Sequence, residues 1–137
     1  MKVFISHSFT DLSLARRVGD ALRNSGIDAW DTSEVFPGDN WGEEVGRALR
    51  EASAMVVLLT PDSVRSGNVV YDVSYAIGQL RFKNRVFSVL AAAPADLAET
   101  RSETPWILKR FPIIQLSDLE HPEAELGGIV QLLSRAA

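Results

Sequence analysis

Cysteine is absent from the 137 residues, which excludes disulfides, thiolate nucleophiles and thiolate metal centres. Histidine occurs twice, too sparse a supply to suggest a zinc site. Basic residues are not in excess: 14 Lys and Arg stand against 18 Asp and Glu, for a net charge of -4. Nothing therefore draws the chain to phosphate backbones or anionic lipid, and no basic stripe with interleaved aromatics suggests a nucleic-acid partner. Long apolar runs are missing as well, and the start Met1-Lys2-Val3 lacks the extended apolar core of a signal peptide. The expectation is a cytoplasmic protein without a membrane partner. Neither Gly-x-Gly-x-x-Gly nor a lysine-bearing phosphate loop occurs, so the usual glycine turn for dinucleotides is unsupported.

What remains is an ordinary globular composition, 46% hydrophobic and 23% charged. The length suits a single domain over residues 1–137 whose core removes about two-thirds of the unfolded surface from water. Val3-Phe4-Ile5-Ser6 reads as a short buried strand, and Leu14, Ala15, Val18, Ala21 and Leu22 then recur at helical spacing. Thr10 or Asp11 is placed to cap that helix, and Gly26 to end it. Residues 27–30 form a second strand. A loop over 31–40 leads to a helix capped by Asp39 or Asn40, with Val45, Ala48, Leu49 and Ala52 inward. Ala54 to Leu59 is apolar without alternation, the mark of a central parallel strand covered on both faces. A further helix turns Val69, Val73, Ala76, Ile77 and Leu80 inward. Strands over 85–92 and 112–116, a helical turn at Pro105 to Leu108, and a final helix over 121–136 complete the pattern. Five strand–helix alternations predict an α/β fold: a flavodoxin-like three-layer sandwich with a parallel five-stranded sheet in order 2-1-3-4-5.

In such sheets ligands bind beyond the carboxyl ends of the strands. The polar tip Ser6-His7-Ser8 ends the first strand there, so these three residues are candidate binding groups. His7 has no carboxylate neighbour in sequence that would make it a base. A phosphoacceptor receiver shares the fold but needs paired acids after the first strand and an aspartate ending the third. Those places hold His7-Ser8 and Thr60-Pro61.

Three segments in order carry a resemblance. Phe4-Ile5-Ser6-His7-Ser8 with Asp11 and Ala15, then Trp30-Asp31 through Gly38-Asp39-Asn40-Trp41, then Val56-Val57-Leu58-Leu59-Thr60-Pro61 together resemble a TIR (Toll/interleukin-1 receptor) domain of the bacterial type. The resemblance covers residues 1 to about 90 well. It implies an enzyme that splits nicotinamide from the ribose of NAD, with NAD as substrate and no prosthetic group. A role in bacterial immune (anti-phage) signalling and self-association with other TIR domains are implied too. The family's catalyst is a glutamate in a pattern like Ser-x-Trp-Val-x-x-Glu. Here the stretch reads Ser66-Gly67-Asn68-Val69-Val70-Tyr71-Asp72, so the resemblance makes Asp72 the catalytic carboxylate. Ser6, His7, Ser8, Trp30, Asp31, Phe36 and Gly38 are then expected to bind substrate, with Trp41 mainly packing. The alternative within the same family is a non-catalytic module that self-associates or binds another TIR protein.

Overall fold

The computed structural model describes residues 1–136. The sheet holds β1 (Lys2–Ser6), β2 (Asp28–Trp30), β3 (Ala54–Leu59), β4 (Val86–Leu90) and β5 (Ile113–Gln115). All pairings are parallel and the order is β2-β1-β3-β4-β5, as the alternation predicts. The helices are α1 (Leu12–Asn24), α2 (Trp41–Glu51), α3 (Gly67–Ile77), α4 (Leu97–Glu103) and α5 (Gly127–Ala136). Among the described residues no helix is long and apolar enough to cross a membrane.

Side chains alternate between the two faces of a strand, and this alternation builds two separate cores. Val3, Ile5, Val56 and Leu58 join the buried residues of α1 and α5. Phe4, Met55, Val57 and Leu59 join those of α2 and α3. Ser6, two residues beyond Phe4, falls on the α2–α3 side. That parity brings a strand-end hydroxyl to α3.

Asn40 caps α2 by accepting the Glu43 N–H at 3.1 Å, and Glu43 and Glu44 complement the positive end of the helix. Asp39 instead accepts the Phe36 N–H at 2.9 Å. Gly26 ends the turn after α1 at φ +83°, a conformation that favours glycine. Arg81 ties α2 to α3, donating to the carbonyls of Ala52 (2.8 Å) and Leu49 (2.9 Å) and to the Tyr75 hydroxyl (2.7 Å).

Several expectations are corrected. Asp11 precedes α1 but makes no side-chain capping bond, because its carboxylate is taken by the hydroxyls of Ser8 and Thr60. Ile77 and Leu80 are exposed, since α3 ends at Ile77 and the chain leaves its face. The last helix starts at Gly127, after a 3-10 turn at Pro122–Ala124. The α4 helix has no apolar stripe to announce it. It is held by the Thr100 hydroxyl on the Asp96 carbonyl (2.8 Å) and by Arg65 bridging Glu99 and Glu103.

Candidate functional site

Asp72 lies one turn into α3, between the inward residues Val69, Val73 and Ala76. Its side chain is drawn under the helix, and the residue is only 5% exposed. The Ser6 hydroxyl donates to one carboxylate oxygen at 2.8 Å. Among the described residues nothing donates to the other oxygen. Burial pushes the carboxyl up to about 6, with the Ser6 hydrogen bond pulling the opposite way.

A cavity of about 60 Å³ opens beside this carboxyl. His7, Phe9, Thr32, Trp41, Asn68 and Asp72 border it, over a floor that includes Phe4, Ile5 and Val45. His7 uses both ring nitrogens: Nδ1 is 2.7 Å from the Ser8 carbonyl and Nε2 is 2.9 Å from the Thr32 hydroxyl. A carbonyl only accepts, so in the neutral ring Nδ1 carries the hydrogen and the Thr32 hydroxyl donates to Nε2. His7 thereby fastens the 31–40 loop to the end of β1. Asn68 donates to the His7 carbonyl at 3.0 Å and so joins α3 to the same strand exit. Phe9 and Trp41 pack as a tilted pair at the mouth, with ring centroids 5.5 Å apart.

Of the residues expected to bind substrate, Ser6 touches the Asp72 carboxyl and His7 borders its cavity. Ser8 is buried nearby, but its hydroxyl is spent on Asp11 at 2.7 Å. The other four lie elsewhere. Trp30 pairs in register with Phe4 and stacks on it at 5.2 Å, which makes it core. Phe36 is exposed and faces, with Trp30, a separate acidic depression that includes Glu34, Asp39 and Glu44. Gly38 forms the loop's turn at φ +92°. Asp31 is fully buried, accepting the Ser33 N–H at 2.8 Å and facing Arg23 at 3.4 Å. Its role is to anchor the loop. Replacing Arg23 with alanine strands that buried charge and is expected to cost about 2 kcal/mol or more in a urea melt. Asp31→Asn in the same chain should restore most of the loss.

Trp41 does more than the sequence suggests. It packs on Phe9, as expected, and also borders the cavity, with 42% of its surface exposed. Phe9, Thr32 and Asn68 were not among the expected site residues. Only Asn68 carried a signal, as the departure inside the Ser66–Asp72 motif.

The chain has relatives among known proteins. The profile of the family described as TIR domain matches residues 3–132. A Brachypodium distachyon protein named "Probable 2' cyclic ADP-D-ribose synthase BdTIR" is 24% identical over 148 aligned positions, which cover 99% of this chain. The chain spans 66% of that relative's length. Among solved structures, a metazoan TIR-STING receptor from C. gigas, in complex with 2',3'-cGAMP, superposes with TM-score 0.73 and 20% identity. It covers 96% of this chain and 39% of its own. A prokaryotic SEFIR domain superposes with TM-score 0.66 and 14% identity, covering 96% and 91%. These two likenesses are of fold.

Proposed function

The chain belongs to the TIR domain family, and from that premise we propose that it cleaves the nicotinamide–ribose bond of NAD with Asp72 as the catalytic carboxylate. The observation that carries this reading is a buried carboxylate, bonded on one oxygen only, beside a cavity at the carboxyl end of the sheet. The name of the Brachypodium relative, a cyclic ADP-ribose synthase, supports the same chemistry.

Nicotinamide is bound to ribose as a cation and leaves neutral, taking the electron pair of the broken bond. No acid is needed to protonate it. The remaining ribosyl cation is stabilised by a fixed negative charge in a water-poor site, which the Asp72 carboxylate supplies. Water, or a hydroxyl of the same ADP-ribose, then captures the cation and loses a proton. Ser6 holds the carboxylate by one oxygen, and Asp72 lines the cavity.

The cavity of about 60 Å³ has room for a few water molecules, far less than a nucleoside. Substrate therefore requires the cavity to widen, by a shift of the Phe9–Trp41 pair or of the 31–40 loop, which the His7–Thr32 bond holds down. Self-association is part of this proposal, because a contact on the exposed Phe36 of that loop would bias it between closed and open. The immune-signalling setting implied by the resemblance belongs to the same reading. NAD loss and the ADP-ribosyl product are both usable signals.

The reaction needs Asp72 ionised, so nicotinamide release per molecule should climb as pH rises, with a midpoint near 6, and level off above 7. It should also climb with protein concentration. Release measured by chromatography from pH 5 to 8, at low and high protein concentration, tests both. No release anywhere would leave the non-catalytic association module as the survivor.

A further inference from the structure

A second concavity, of about 360 Å³, runs between α2 and α3. It shares Trp41 and Val45 with the Asp72 cavity, so the two adjoin. Its floor on α2 is Gly42 and Gly46, one turn apart on the same helix face. Neither glycine has a positive φ. A Cβ on Gly42 would meet only the Asn40 side chain at 3.7 Å, and one on Gly46 the mobile tip of Arg50 at 3.2 Å. Alanine would fit at both positions and favour the helix more than glycine does. The fold thus does not require glycine there. What the two glycines produce is close approach to the helix backbone: at Gly42 for a ligand, and at Gly46 for the Arg50 guanidinium that would meet it.

The opposite wall carries Tyr71, adjacent in sequence to Asp72, with 65% of its surface exposed. Arg50 lines the groove with its guanidinium turned back toward Gly46, and it has no carboxylate partner among the described residues.

We propose that this groove holds the adenylate half of the dinucleotide, with Arg50 on the diphosphate and Tyr71 against the adenine ring. The proposal rests on the NAD-cleavage reading, which fixes the nicotinamide end beside Asp72. A guanidinium pairs with phosphate oxygens through two parallel hydrogen bonds, and an exposed phenol ring offers a flat partner to a purine. In a chain of net charge -4, a single unpaired cation in the groove selects the diphosphate's position.

Two measurements separate this subsite from the reaction itself. The first compares kcat/KM for NAD and for nicotinamide mononucleotide, which lacks the adenylate half. In Gly46→Leu and Arg50→Gln the preference for NAD should fall at least tenfold, and in Gly46→Ala by less, without a lower melting temperature. A merely structural Gly46 would leave that preference unchanged, which overturns the subsite. The second titrates the wild-type protein with ADP and follows backbone amide shifts. Shifts centred on Gly42, Gly46 and Tyr71 uphold the proposal; shifts elsewhere or none overturn it. If neither dinucleotide nor mononucleotide is cleaved, the NAD-cleavage reading fails and the ADP titration alone decides the subsite. Broadening of the same amides with protein concentration, unaffected by ADP, would assign the groove to a second copy of the chain and overturn the proposal.

Discussion

Asparagine in place of Asp72 should make the folded protein more stable at pH 8 and leave it unchanged at pH 4. The sign follows from the carboxyl being held near 6 in the folded state against an ordinary value of 3.8. Between about pH 4 and pH 6 the unfolded chain gives up this proton while the folded chain keeps it. Stability therefore falls as pH rises through that window, and the full cost is present above it. A gap of that size corresponds to about 3 kcal/mol. Asparagine keeps an oxygen for the Ser6 hydroxyl and has no charge to desolvate, so it escapes the cost. For a domain of this length the gain is about 10 °C in melting temperature at pH 8, vanishing by pH 4. Circular-dichroism melts at the two pH values check it. An equal shift at both would mean that the carboxylate is not desolvated. An acid that lowers the stability of its own fold fits a site that trades stability for chemistry, which is the role proposed for Asp72.

Glutamate at position 72 should raise nicotinamide release by a factor of ten or more. The added methylene carries the carboxylate roughly 1.5 Å further into the cavity, and catalysis responds to misplacements of about 1 Å by about a hundredfold. The space exists. A methylene needs no more than the share of one water molecule, about 30 Å³, and the cavity is about 60 Å³. The TIR family's own catalyst at this place is glutamate, which points the same way. Reduced release by a stably folded Asp72→Glu protein would mean that the cavity is shaped around the shorter acid and is overfilled by the longer one.

The sheet was readable because its strands are extreme cases. Ala54 to Leu59 has no polar residue to break its run, and all six side chains are buried. The five alternations left the handedness rule few topologies to choose among, and the sheet order agrees. The site was legible only where a motif lay along one stretch of chain. Asp72 could be found from Ser66 to Asp72, and Ser6 and His7 from the end of β1. Phe9 and Trp41 could not, because their pairing joins the loop after β1 to the start of α2, and no local pattern records that contact. Trp30 misled for a related reason: a tryptophan beside an acidic loop looks like a ligand stacker until the register with Phe4 puts it in the core. The α4 helix, seven residues long and polar, offered no periodicity.

The most direct measurement is nicotinamide release from NAD by wild type and Asp72→Asn side by side, at pH 7.5 and high protein concentration, with both proteins shown to be folded. The expected result is steady release by wild type and at least a hundredfold less by the asparagine variant despite its higher melting temperature. Equal release by the two, or none by wild type, would contradict the assignment of Asp72 as the carboxylate that breaks the nicotinamide–ribose bond.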